Sequence, residues 1–81
     1  MSFKIIEVHW FDAQSSMKTL TIEEALKEFK PILTKSVGYL IDDSKKEYLL
    51  LAFTNFGQGQ FKHWQLIPKG MIKGDPKVIK H

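Results

Sequence analysis

Alternation of apolar and polar residues opens the chain. From Phe3 to Asp12, Ile6, Val8 and Trp10 fall on one face, and Glu7 and His9 on the other. That period of two predicts a strand. Ile5 and Phe11 share the second face, so it is only partly polar. Residues 12–20 have neither the strand nor the helix period and are rich in small polar side chains, which predicts a loop. Thr21-Ile22-Glu23-Glu24 then reads as a capping box with Leu20 as a staple onto Ala25. Ile22, Ala25, Leu26 and Phe29 recur at helical spacing and make one apolar stripe. Glu23 and Glu24 sit at the positive end of the helix dipole, and Lys27 and Lys30 at the negative end. Pro31 forbids continuation, so the helix is predicted over Ile22 to Phe29.

Three further runs predict strands. Val37 to Ile41 alternates, Glu47 to Thr54 is nearly all apolar and reads as a central strand, and Phe61 to Ile67 alternates again. Asp42 to Lys46 is a polar hairpin connection. Residues 55–60 (Asn-Phe-Gly-Gln-Gly-Gln) read as a flexible loop whose glycines allow positive φ. Pro68 ends the fourth strand by removing a donor, and Lys69-Gly70 turns the chain. Met71-Ile72 begins a short last element.

The predicted fold is therefore α+β and mostly antiparallel, in the order strand, helix, three strands, short strand. A short last strand after a tight turn suits a small bent barrel of the SH3-like or Sm-like kind, which would remove exposed edges. The alternative is an open antiparallel sheet with the helix packed on one face. With 81 residues the chain is long enough for one core and too short for two domains. Residues 1–81 are read as a single domain, with 74–81 as a tail open to fraying.

Composition adjusts this picture in three places. Hydrophobic residues make up 43% and charged residues 26%, a globular balance. There is no cysteine, so disulfides and thiolate metal sites are excluded. No segment approaches the length of a membrane span or the layout of a signal peptide, and a soluble cytoplasmic protein is expected. The net charge is +3 and uneven, since residues 57–81 carry five lysines against Asp75 alone. All twelve basic residues are lysine, which weighs against sequence-specific reading of DNA and leaves non-specific phosphate attraction open.

Candidate chemistry is sparse. His9, His63 and His81 lack ligand spacing, so no metal and no cofactor is expected. Asp12 ends a strand beside a loop with Ser15 and Ser16, a place for a polar ligand contact or for an Asx turn. Asn55 and Phe56 lie in the glycine-bearing loop, Trp64 in the strand after it, and Lys69 at the turn. Aromatic faces beside lysines are the means by which small barrels stack bases and hold phosphates. Asp12, Ser15, Ser16, Asn55, Phe56, Trp64 and Lys69 are the candidate ligand-binding residues, and no catalytic set is expected.

The order Val8-His9-Trp10-Phe11-Asp12-Ala13, Thr21-Ile22-Glu23-Glu24-Ala25, Val37-Gly38-Tyr39-Leu40-Ile41, Glu47-Tyr48-Leu49-Leu50-Leu51-Ala52 and Ile67-Pro68-Lys69-Gly70-Met71-Ile72 resembles a family of very small, uncharacterised proteins encoded in phage and prophage genomes. Members often carry a second aromatic in the loop after the Asp-Ala pair, where this chain has Met17. The resemblance implies a viral accessory role in the host cytoplasm. With no catalytic constellation, two polar loops (12–20 and 55–60) and a compact barrel-like scaffold, the expectation is a phage-type binding protein that acts by occupancy, on a host protein or a small anionic nucleotide, and not an enzyme. The alternative is a small β-barrel that binds nucleic acid non-specifically. A homo-oligomer suits either.

Overall fold

A computed structural model describes residues 3–12 and 18–79. Its elements are β1 (Ile5–Asp12), α1 (Ile22–Glu28), β2 (Ile32–Asp42), β3 (Tyr48–Gly57), β4 (Gln60–Pro68), a 3-10 turn at Lys69–Met71 and β5 (Lys77–Val78). The five strands form one sheet in the order β4-β3-β2-β1-β5, with every pairing antiparallel. A mostly antiparallel fold with one short helix is therefore what this sequence forms.

The barrel closure expected from the ending does not occur. β4 and β5 are opposite edges of an open sheet. The reason lies at Pro68. It cannot continue a ladder, and the 3-10 turn after it sends the chain across the sheet instead of along β4. Ile72 bridges Trp10, and the Lys73 amide donates to the His9 carbonyl at 2.8 Å. The crossing segment thus covers one face and lands on the far edge of β1, where Lys77 and Val78 pair with Glu7 and Ile6.

That covered face holds the core. Ile6, Val8 and Trp10 from β1 meet Leu49 and Leu51 from β3 and Ile67 from β4, with Leu40 and Ile72 packed against them. Trp10 fills this core, and its indole N–H donates to Ser36 at 3.0 Å, so the one polar atom of the ring is satisfied. Gly38 sits on the same face. A Cβ there would meet the Ala52 carbonyl oxygen at 3.0 Å and the Phe53 ring at 3.1 Å.

The sheet is two long hairpins joined over a short stretch. β1 and β2 pair from Ile5↔Tyr39 to Asp12↔Ile32, and β3 and β4 from Tyr48↔Pro68 to Gly57↔Gln60. β2 and β3 pair only through Tyr39↔Ala52, Leu40↔Leu51 and Asp42↔Leu50. A bulge falls between Leu40 and Asp42. Beyond that joint the two hairpins diverge as separate arms. The molecule consequently spans 51 × 25 × 25 Å, with a radius of gyration of 15.7 Å. A compact chain of this length would have about 12 Å.

The helix forms where its capping box predicts it. The Glu24 amide donates to Thr21 Oγ1 at 3.1 Å, and the Thr21 amide donates to Glu24 Oε1 at 3.2 Å. Phe29 ends it with extended angles ahead of Pro31. Its apolar stripe, however, does not face the core. No residue of α1 is buried, and Ile22 and Leu26 are 81% and 77% exposed. Only residues 29–31 separate α1 from β2, and Pro31 stiffens that link. The helix therefore projects past the end of the β1–β2 arm.

Candidate functional site

The crossing segment creates a cleft at its own border. Ile6, Leu40, Leu49 and Ile72 form an apolar floor, and Lys4, Lys69 and Asp43 stand among the residues that line it. The cleft has a volume of ≈ 470 Å³, within the range of roughly 300–1,000 Å³ usual for small-molecule sites. A second, shallower cavity adjoins it and shares Lys4, Leu40 and Asp43.

Each wall has a local cause. Lys4 enters the cleft because its carbonyl accepts from the Leu40 amide at 2.8 Å, which extends the β1–β2 ladder by one residue. Lys69 is held from two sides. Its backbone amide donates to the Glu47 carbonyl at 2.8 Å, and its Nζ donates to the Asp43 carbonyl at 2.7 Å. The carbonyl is a neutral acceptor, so this hydrogen bond does not itself cancel the ammonium charge, which the Asp42 carboxylate nonetheless feels. The connection opposite is stiffened by Asp42, whose Oδ1 accepts from the Ser44 amide at 2.8 Å and from its hydroxyl at 2.7 Å. Those hydrogen bonds hold the Asp42 carboxyl below its ordinary value, with smaller help from Lys45 and Lys69. Lys4 and Lys69 stand with Asp43 around an apolar floor, and the Asp42 carboxylate lies near Lys69, so the lysines supply cationic groups without a net positive charge. Chemically, such a site suits an anion with an apolar or aromatic body.

A second cluster lies on the opposite face. One row crosses four strands, with Ile5 beside Tyr39, Tyr39 beside Ala52 and Ala52 beside Trp64. Phe61 joins it, its ring centroid 5.0 Å from Phe3, 5.9 Å from Tyr39 and 6.0 Å from Trp64. Residues 61 and 64 would lie on opposite faces of a regular strand. His63 between them has φ 63°, a left-handed angle rare outside glycine, and the strand reverses its facing there. His63 Nδ1 also shares a hydrogen bond with Thr54 Oγ1 at 3.1 Å. Trp64 remains 54% exposed.

Of the seven candidates read from sequence, Lys69 lines the cleft and Trp64 belongs to the aromatic cluster. Asn55 and Phe56 are not in a loop. β3 runs on through them, and the reversal is a tight turn with Gly57, Gln58 and Gly59 all at positive φ. Asn55 Oδ1 accepts from the Gly57 amide at 2.8 Å, so its side chain serves that turn. Phe56 is 63% exposed at the tip of the β3–β4 arm. Asp12 pairs with Ile32 at the far end of the other arm, remote from the cleft. Ser15 and Ser16 lie outside the described residues. His9 and His63 sit on strands separated by β2 and β3 and do not meet. Instead His9 Nε2 donates to Glu7 Oε1 at 3.0 Å, and this bond is the main cause of the lowered Glu7 pKa.

Sequence reasoning missed Lys4 and the apolar floor. Lys4 precedes the first strand and carries no motif. The floor residues were legible as core, but their exposure to a cleft depends on where the chain crosses after Pro68.

Among the described residues no helix is long and apolar enough to cross a membrane. Comparison with known protein families, curated proteins and solved structures returned no match.

Proposed function

We propose that this protein is a small accessory binding module that acts by occupancy, taking an anionic ligand of nucleotide size in the cleft beneath the C-terminal crossing. The observation that carries the reading is the pairing of an apolar floor with Lys4 and Lys69 at one cavity. The floor would take a base or another flat apolar body, and the lysines a phosphate or carboxylate. The phage resemblance of the sequence fits such a role, since sequestering a small anion needs no catalytic group. The test is calorimetry and NMR titration with nucleoside mono- and diphosphates. Binding should perturb Leu40, Leu49 and Ile72 and should be lost in Lys69→Glu with the fold intact. No heat and no shifts with any nucleotide would remove the proposal.

A second reading is favoured by the exposed Trp64 beside Phe61 and Lys62, which suits stacking of single-stranded nucleic acid. Retardation of single-stranded DNA or RNA that falls steeply with salt, and that is lost in Trp64→Ala, would support it.

A further inference from the structure

We infer that the chain pairs with a second copy of itself, the apolar stripe of α1 in each copy lying against the exposed apolar side chains of the partner's β3–β4 arm. The first ground is surface area. The chain exposes 6516 Å², whereas a monomer of 9.4 kDa exposes about 5,000 Å². The excess, about 1,500 Å², is more than the roughly 800 Å² each partner buries in a standard interface.

The second ground is where that surface lies. Ile22, Leu26 and Phe29 are exposed along one stripe at α1, and Phe56 and Trp64 are exposed on the other arm. A seven-residue helix is marginal in water without packing. Among the described residues its own sheet does not reach it while residues 29–31 hold it beyond the β1–β2 arm, so a second molecule supplies the cover.

The third ground is charge. Over residues 18–28 the acids Glu23, Glu24 and Glu28 outnumber Lys18 and Lys27 by one, with Glu28 held by Lys18 at 3.3 Å and Glu23 by Lys27 at 3.7 Å, while residues 53–66 carry Lys62 and no acid. A two-fold axis makes the contact twice, helix to hairpin and hairpin to helix, which closes the assembly at two copies. It also covers Phe56 and Trp64, so it excludes the stacking of bases there and leaves the cleft free.

Sedimentation equilibrium of the full chain, from low micromolar to submillimolar, tests the pairing. A concentration-dependent dimer is expected, weakened roughly thirtyfold or more by Leu26→Glu and separately by Phe56→Ser, as for a central interface residue. Circular dichroism checks that both variants keep the sheet. Because the chain has no cysteine, Leu26→Cys and Phe56→Cys chains can be mixed and oxidised. A disulfide joining position 26 of one copy to position 56 of the other is expected. A monomer at every concentration overturns the inference, and so does a dimer that cross-links only 26 to 26.

Discussion

The indole Nε1 of Trp10 donates to Ser36 Oγ across the β1–β2 ladder, inside the core. Ser36 pairs with Val8, so the bond runs diagonally between neighbouring rows. Replacing Ser36 by Ala would leave a buried N–H without a partner. The expected loss is about 1–3 kcal/mol in urea unfolding. A change of a few tenths would mean that the indole finds another acceptor.

Gly38 and Phe53 make the second pair. The ring lies where a Gly38 side chain would go, and the Ala52 carbonyl is as close. Gly38→Ala should cost about 1–3 kcal/mol, as overpacking does. Adding Phe53→Leu should recover only part, because the carbonyl cannot move without breaking the joint between the hairpins.

His63 holds a left-handed angle in mid-strand. Strain of that kind costs on the order of 1–3 kcal/mol for a non-glycine residue. His63→Gly should therefore be at least as stable as the parent despite losing the bond to Thr54. His63→Val should be less stable than His63→Gly by a similar amount. Thermal midpoints of the two variants, measured side by side, give the comparison.

The Asp42 carboxyl is held below its ordinary value by its two bonds from Ser44. A depressed carboxylate pKa contributes stability that is present above the unfolded value and lost as pH falls through the folded one. The β2–β3 connection should thus loosen only under acid conditions. NMR titration should place the Asp42 midpoint below that of an aspartate in an unfolded chain, and Ser44→Ala should move it upward.

Most of this architecture is legible in the chain because its causes are local. The capping box at Thr21 and Glu24 fixes where α1 starts, and Pro31 fixes where it stops. Alternation at Ile6, Val8 and Trp10 identifies the core face of β1. Two features are not legible. Residues 32–36 (Ile-Leu-Thr-Lys-Ser) extend β2 because β1 offers a partner for each of them, a long-range cause their own pattern does not show. The stripe of α1 has the periodicity of a packed helix, yet periodicity records only that a face is apolar and not what covers it. Of the cleft, Lys69 is legible in the sequence. The other half of the cleft depends on where the chain goes after Pro68, which no local signal specifies.

The crossing from Pro68 to Ile72 has a consequence for biosynthesis. Ile72 and Lys73 cover β1, so that strand is completed by residues made after β2, β3 and β4. A chain emerging from the ribosome can form the β1–β2 and β3–β4 hairpins early, because each closes a local loop. It cannot shield Trp10 and Val8 until Ile72 and Lys73 have left the ribosome. Chains truncated before Ile72 should therefore carry an open core and be removed by proteolysis, while chains that include the crossing close in one late step.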